Sequence, residues 1–213
     1  MDIIPTLVPL GDAALLVRFG TTLSEPANRA AVDFAGAIAG RLPPGVTEMV
    51  PSLVSVLMKY DPARIGFEQL AGEMRLLASV KRDVAPAAEH VIPMRFDGED
   101  LAAVAAELKL TPEAFIAAHN AAPLRVLATG FAPGFVYCGF HEAALTLPRR
   151  STVRPSVPAG TVLFAAGQTA IAATPLPTGW HVIGHTEFRN FDAGATPPTS
   201  LSAGDSIRFE AAP

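Results

Sequence analysis

Three arginines lie close together in a proline-bounded segment of a chain that is otherwise poor in charge. Arg149, Arg150 and Arg154 fall within six positions, whereas charged residues make up only 17% of the sequence. A guanidinium group stays protonated at any working pH and offers a planar fork of donors, so it suits a carboxylate or a phosphate. We therefore expect at least one of the three to hold an anionic group. The alternative is a solvated loop with surface ion pairs.

Other polar and aromatic residues near these arginines are candidates for contact with a small ligand. These candidates all lie in short glycine- and proline-rich motifs. The five residues are Gly134, Tyr137, Gln168, Thr169 and Trp180. Glycine lets the backbone approach a ligand closely, hydroxyl and amide groups can hydrogen-bond it, and an indole can stack on it. The same residues are also typical of tight turns and of an aromatic core, and the sequence leaves both interpretations open.

The histidines do not form a metal site. His181 and His185 are four positions apart, a spacing that suits one metal ion on a helix. Their segment has the pattern of a strand, along which four residues span about 13 Å, so the pair cannot chelate one ion and we predict no metal. His185 remains a candidate acid–base group because histidine changes charge near neutral pH. Cys138 has no local base and is expected to be a small buried residue.

The composition predicts a soluble cytoplasmic protein. Half of the 213 residues are apolar, the net charge is −4, and there is one cysteine, so no disulfide framework is possible. No basic run exceeds two residues, which argues against nucleic acid as a partner. We expect neither a signal peptide nor a membrane span, because the N-terminus lacks a positive start and no apolar run is long enough. The low charge suggests apolar surface that a partner covers, although many alanines would raise the hydropathy equally.

Hydrophobic patterning predicts two domains, at residues 1–83 and 84–213. The first has the order βαββαβ of a ferredoxin-like unit, with helices that begin after Ser24 and Asp61. The strand at 91–96 either completes that sheet or opens the second domain, and a linker is expected at 82–89. Helices at 97–108 and 111–121 then precede short strands between Pro/Gly turns, a pattern typical of a β-barrel.

Four motifs, taken in this order, resemble the family of allophanate hydrolase subunit 1, also described as carboxyltransferase domain C/D. The family includes KipI-type kinase inhibitors and the B-type subunit of 5-oxoprolinase. The motifs are GFAPGFVY (130–137), PRRSTVRPSVPAGTV (148–162), AGQTAIAA (166–173) and TGWHVIGHT (178–186). The resemblance covers nearly the whole chain, and it implies a small α+β N-terminal domain followed by a cyclophilin-like β-barrel.

The resemblance further implies a subunit of a hetero-oligomer. It implies the opening of a small cyclic amide with ATP as co-substrate. The implied partners are an allophanate hydrolase subunit 2-like protein, which is the C-type subunit of 5-oxoprolinase, and a LamB/YcsF-type protein. Arg149 or Arg154 would hold an anionic group, and Gln168 with Thr169 would order the carbonyl group. Two other family roles remain open, a carboxyltransferase component of a urea-carboxylase-like system that uses biotin and a KipI-type inhibitor of a histidine kinase.

Two motifs depart from the family pattern. The family's IGRT reads IGHT here, so His185 stands in place of an arginine, and QTGIYP reads QTAIAA at 168–173. A histidine has neither the permanent charge nor the bidentate fork of an arginine. We therefore expect an altered substrate pocket, and the substrate stays open.

Overall fold

The computed structural model describes residues 3–79 and 87–212, and the chain divides into two compact units, Met1–Pro86 and Ala87–Pro213. The boundary that the sequence predicts after residue 83 lies outside the described residues. Within those ranges, no helix has both the length and the apolar character needed to cross a bilayer.

The first unit is an antiparallel sheet with two helices packed against it. Its elements are β1 (Thr6–Pro9), β2 (Ala14–Arg18), α1 (Glu25–Ile38), β3 (Val46–Ser52), β4 (Ser55–Tyr60) and α2 (Phe67–Ala78). The strand order in the sheet is β1-β2-β4-β3. Alternate strand residues such as Leu15 and Met58 are completely buried and meet Phe34 of α1 and Leu70 of α2 in one apolar core.

The first unit does not have the predicted βαββαβ order of a ferredoxin-like unit, and of the two alternatives for the strand at 91–96 the structure has the second. The order is ββαββα, because β1 forms an antiparallel hairpin with β2 and occupies an edge of the sheet. The strand predicted at 91–96 is β5 (Glu89–Met94), and it belongs to the second unit. The strand β1 has only four residues, which are too few to show a clear period of two. The sequence pattern therefore did not predict it.

The second unit is built on a curled seven-stranded sheet in the order β12-β9-β10-β7-β6-β13-β5. After β5, its elements are α3 (Leu101–Glu107), α4 (Pro112–His119), β6 (Leu124–Thr129), β7 (Val136–Gly139), β8 (Arg154–Val157), β9 (Thr161–Ala165), β10 (Gln168–Ile171), β11 (Leu176–Thr178), β12 (His181–His185) and β13 (Ser206–Ala211). The two edge strands meet where Arg95 and His185 exchange backbone hydrogen bonds of 2.8 and 2.9 Å. This closure fits the predicted cyclophilin-like β-barrel.

The two faces of this sheet carry separate apolar clusters. One face meets α3 and α4 in a core that contains Phe115, Cys138 and Phe164. The other face packs against the two-stranded sheet of β8 and β11, in a cluster that contains Leu163 and Ala170. Because successive strand residues point to opposite faces, two residues that are adjacent in the sequence can pack into different clusters.

The helices at the start of the second unit are shorter than predicted. The helix predicted from residue 97 begins at Leu101, so the acidic residues before it lie ahead of its first turn. The helix predicted from residue 111 spans Pro112–His119, and the Thr111 side chain accepts a 3.2 Å hydrogen bond from the backbone N–H of Ala114, as expected of an N-cap.

Candidate functional site

Asp100, which no sequence motif indicated, binds two of the three clustered arginines. Its side chain, directly before α3, is 9% exposed. The carboxylate accepts hydrogen bonds from Arg154 Nη1 and Nη2 at 2.7 and 3.0 Å and from Arg150 Nη1 at 2.5 Å. It also accepts one from the backbone N–H of Val182 at 2.8 Å. A single buried carboxylate thus connects α3, β8, β12 and the segment before β8.

This arrangement leaves Arg154 little capacity for a ligand. Its Nε also donates to Glu99 at 2.8 Å, so all three guanidinium nitrogens bind carboxylates. Burial acts to raise the pKa of Asp100, but hydrogen bonds from Arg154 and Val182 outweigh it and hold that pKa below its ordinary value. The hydrogen bond to Asp100 in turn raises the pKa of Arg154. One of the two arginines predicted to hold an anionic group thus already binds two protein carboxylates.

Arg149, in contrast, faces an aromatic surface. It is exposed, and its Cζ lies 5.6 Å from the centre of the Trp180 ring, within the range of a cation–π contact. Burial raises the pKa of the Tyr137 phenol, and the charge of Arg149 partly offsets that rise. No carboxylate within residues 3–79 and 87–212 forms an ion pair with Arg149. Its guanidinium is therefore available to an anionic ligand.

The aromatic rings around Arg149 form a continuous row, which together with Arg149 we call the arginine–aromatic surface. Ring centroids are 6.0 Å apart for Trp180 and Tyr137, 4.8 Å for Tyr137 and Phe135, and 5.7 Å for Phe135 and Phe131. Phe131 is 75% exposed and has a φ of +79°. Such a conformation costs on the order of 1–3 kcal/mol in a non-glycine residue, and such residues cluster at functional sites.

The predicted pair Gln168 and Thr169 is divided between the two faces of β10. Ala170 lies opposite Tyr137 in the strand register, so Gln168, two residues earlier, shares the face of the arginine–aromatic surface. Thr169 lies on the other face, opposite Cys138. Cys138 is completely buried, as predicted, and burial raises the pKa of its thiol. Of the predicted pair, therefore, Gln168 alone lies on the face of β10 that carries the arginine–aromatic surface.

Thr169 instead belongs to a buried polar cluster that we call the histidine–threonine network. Its Oγ1 lies 2.8 Å from Nε2 of His119 and 2.8 Å from Nε2 of His141, and the two imidazole rings are 4.7 Å apart. His119 Nδ1 lies 2.7 Å from Oδ1 of Asn120. Burial lowers the pKa of His119 to about 4, and burial together with the nearness of His119 lowers the pKa of His141 to about 3. Both rings are therefore neutral at pH 7.

His185 lies apart from both groups. Its Nδ1 donates to Oδ1 of Asp97 at 2.7 Å, beside the bridge that closes the sheet. Burial acts to raise the pKa of Asp97, but hydrogen bonds from His185 and Arg95 outweigh it and lower that pKa. Five residues of strand separate His185 from Trp180, a distance of about 16 Å. The two predicted anion-binding residues, Arg149 and Arg154, and the predicted acid–base group His185 thus occupy three different places in the unit.

Gly134 has a role in packing. Its φ is +69°, and an added Cβ would lie 2.5 Å from Cβ of Phe191 and 2.9 Å from Cβ of Ala173. Its carbonyl accepts a 3.0 Å hydrogen bond from Nδ2 of Asn190. The residue thus lets the GFAPGFVY turn pack against residues 190–191.

Among the residues that are described, no group of three or more His, Cys, Asp or Glu side chains is placed to hold a metal ion.

Replacing Gly134 with alanine is expected to destabilise the second unit by about 2–4 kcal/mol. The reason is that overlap with Phe191 adds to the strain of a left-handed backbone. Gly11→Ala is the matched control, because Gly11 has a similar φ of +63° and no atom within 4 Å of the added Cβ. Differential scanning calorimetry of both variants measures the difference. Equal losses of stability would show that the packing around Gly134 is not tight.

Comparisons with known proteins agree with this architecture. Residues 5–201 match the family model for the carboxyltransferase domain, subdomain C and D. The B-type 5-oxoprolinase subunit of Bacillus subtilis (strain 168) is 36% identical over an alignment of 215 positions, which covers 94% of this chain and 90% of that protein. The crystal structure of TTHA0988 is 39% identical with a TM-score of 0.84 and covers 94% of this chain. This chain spans only 40% of the TTHA0988 chain.

A more distant structure shares the fold alone. The urea carboxylase of Kluyveromyces lactis has a TM-score of 0.76 and a sequence identity of 15%, and the match covers 98% of this chain and 22% of that chain. At this identity, the likeness carries no conclusion about the reaction.

Proposed function

The chain belongs to the family of the carboxyltransferase domain, subdomain C and D, and from this membership we propose that it is a subunit of a 5-oxoprolinase-like complex. The complex opens a small cyclic amide at the expense of ATP. The observation that carries the proposal is the 36% identity to a B-type 5-oxoprolinase subunit over at least nine-tenths of both chains. The 5-oxoprolinase relative supports this substrate class, and the arginine–aromatic surface suits a substrate of that class.

The chain works with other polypeptides. We assign it a subunit 2-like partner, equivalent to the C-type subunit of 5-oxoprolinase, and a LamB/YcsF-type protein, with ATP as co-substrate of the whole complex. The length of TTHA0988 supports a role beside further protein, since 94% of this chain corresponds to only 40% of that one. The exposed Phe131 and Val153, at 75% and 61%, give the second unit apolar surface that a partner can cover.

The arginine–aromatic surface is the substrate-binding part that this chain contributes. Arg149 offers a guanidinium to a carboxylate or a phosphoryl group, and the Trp180 ring beneath it restricts its orientation. Tyr137 and Gln168 share one sheet face nearby and can donate to a carbonyl oxygen. When the amide opens, its C–N bond breaks, water supplies the oxygen that joins the carbonyl carbon, and the nitrogen takes a proton. Donors aimed at the oxygen where charge develops stabilise that step.

Arg154 acts as a positioning residue in this scheme. Through Asp100, it fixes the start of β8 relative to α3 and β12. Arg149 lies in the segment that enters β8, and Trp180 immediately precedes β12, so the same ion pairs hold the two halves of the surface together.

Replacing Arg149 with glutamine is expected to lower kcat/KM of the assembled complex by roughly 10- to 100-fold. The reason is that a hydrogen bond to a charged group contributes about 1.5–3 kcal/mol. The chain is co-expressed with its subunit 2-like and LamB/YcsF-type partners, and ADP release is measured with 5-oxoproline, allophanate and other small amides. The matched control is Arg208→Gln, an exposed arginine on β13.

Three outcomes would each contradict a different claim. Failure of every amide to stimulate ADP release from the assembled complex contradicts the proposed reaction. Stimulation that is equal in wild type, Arg149→Gln and Arg208→Gln leaves the reaction in place and contradicts the role of Arg149. Full activity of the isolated chain with ATP contradicts the need for partners.

A further inference from the structure

Arg149 lies in a stretch of chain that few hydrogen bonds hold in place. Before it, the Leu147 carbonyl accepts a 2.8 Å backbone hydrogen bond. After it, the backbone N–H of Arg150 donates to the Gly179 carbonyl at 2.8 Å. Two residues remain between these anchors, Pro148 and Arg149. The conformation of these two residues decides where the guanidinium of Arg149 lies.

His181 supplies the hydrogen bond between the two anchors. Its Nε2 lies 3.1 Å from the Pro148 carbonyl oxygen, and within residues 3–79 and 87–212 no other hydrogen bond reaches the backbone of Pro148 or Arg149. A carbonyl oxygen only accepts, so Nε2 of His181 carries a proton and donates it. The imidazole keeps this donor whether it is neutral or charged. The hydrogen bond therefore holds the residue directly before Arg149 against β12.

The two hydrogen bonds that flank Arg149 end on the two residues that flank Trp180. One joins the residue after Arg149 to the residue before Trp180, and the other joins the residue before Arg149 to the residue after Trp180. The indole is 6% exposed and packs in the apolar cluster beneath the arginine–aromatic surface. Because the ring is fixed by packing, the place of the guanidinium over it depends on these two hydrogen bonds.

His181 lies on the other face of the sheet from Arg149. Trp180 and Val182 both belong to the apolar cluster beneath the arginine–aromatic surface, and alternation along the strand turns His181, between them, to the opposite face. Its register partner is Phe164, which belongs to the core on that opposite face. The imidazole therefore acts on a ligand of Arg149 only through the chain that carries Arg149.

We propose that His181 is a positioning residue for Arg149. Its hydrogen bond to the Pro148 carbonyl fixes the chain so that the guanidinium stays over the Trp180 ring, ready to bind an anionic group of the substrate. An exposed arginine has many rotamers, and restricting them before the ligand arrives lowers the entropic cost of binding. The inference rests on the proposed role of Arg149 in substrate binding.

The test uses the fluorescence of Trp180, the single tryptophan, in the isolated chain. Indole emission responds to a positive charge beside the ring, so the change that Arg149→Gln produces defines the loss of the contact. His181→Leu, which removes the donor, is expected to produce about half of that change or more, and to add nothing in the Arg149→Gln background. His181→Gln, whose amide can donate in place of Nε2, is expected to keep the wild-type emission.

The matched control is His90→Leu. His90 is another partly exposed histidine of the second unit, and its Nε2 lies 3.3 Å from Oδ2 of Asp205. Its replacement is expected to leave the emission of Trp180 unchanged, because His90 has no contact with the segment that carries Arg149.

The assembled complex supplies the second readout. His181→Leu is expected to lower kcat/KM by about 3- to 10-fold, mainly through KM, which is the effect of losing one neutral hydrogen bond. His181→Gln is expected to retain most of the wild-type value. Absence of amide-stimulated ADP release from the wild-type complex contradicts the proposed function, whereas the fluorescence test needs neither amide nor partner and fails only with the coupling of His181 to Arg149.

Four results would overturn the proposal. Emission that is unchanged in His181→Leu, or changed equally in His90→Leu, means that His181 does not fix Arg149. Emission of Arg149→Gln equal to that of the wild type means that there is no contact with Trp180 to be fixed. A changed emission with an unchanged kcat/KM means that the orientation does not matter to the substrate. Nitrogen-15 NMR of the wild type needs no variant to fold, and a neutral His181 protonated on Nδ1 contradicts the hydrogen bond itself.

Discussion

Replacing Asp100 with alanine is expected to destabilise the second unit by about 3–5 kcal/mol, the cost of removing one partner from a buried ion pair. The carboxylate is 9% exposed and serves Arg150, Arg154 and the backbone N–H of Val182. Without it, two guanidinium groups lose their buried counter-charge. One of them already has an unsatisfied atom, because Arg150 Nε is buried without a hydrogen-bond partner.

Glu99→Gln is the matched control for this experiment. Glu99 also binds Arg154, through Nε at 2.8 Å, but its side chain is 64% exposed. An exposed ion pair contributes about 0–1 kcal/mol, so the control is expected to lose little stability. Denaturant unfolding followed by the fluorescence of Trp180, the single tryptophan, measures both variants. Similar losses in the two would mean that Asp100 stabilises the unit no more than a surface carboxylate does.

Sequence patterning singled out the arginine segment but could not reveal the carboxylate that two of its arginines bind. Asp100 lies 50 and 54 positions from the two arginines that it binds, and only tertiary packing brings them together. The available signal was an acidic residue just ahead of an apolar helix. That signal was lost because the helix was predicted from residue 97 and begins at Leu101.

The division of Gln168 from Thr169 was predictable in principle. Both were expected to face one ligand, yet adjacent residues of a strand point to opposite faces. What the sequence could not show is where Thr169 leads, since His119 and His141 lie 50 and 28 positions away from it. The order of strands in the first sheet was beyond local patterning for the same reason. Pairing between distant segments depends on packing and not on the period within each segment.

Lowering the pH from 7 to 4 is expected to destabilise the second unit by several kcal/mol through the histidine–threonine network. The pKa values of His119 and His141 are about 4 and about 3 in the folded state, against an ordinary value of 6.5. Between these values, the unfolded chain binds protons that the folded chain does not. The stabilisation is therefore complete above pH 6.5 and is lost as the pH falls toward 4 and 3. Each histidine contributes a slope of up to about 1.4 kcal/mol per pH unit.

The carboxylates act in a different pH window, which separates their effect from that of the histidines. The pKa values of Asp97 and Asp100 are lowered from 3.8, so the stability that they add is lost only as the pH falls below about 4. Unfolding free energies measured by denaturant titration at pH 7, 6, 5 and 4.5 therefore report mainly on the network.

His141→Gln separates the charge of the network from its hydrogen bonds. The glutamine amide can still donate to Thr169, but it does not titrate. The dependence of the unfolding free energy on pH between 6 and 4.5 is expected to fall by about half, because His119 alone would then resist protonation. An unchanged slope in this variant, or a wild-type stability that is flat between pH 7 and 4.5, would mean that the two imidazoles are hydrated and not held neutral by their aromatic surroundings.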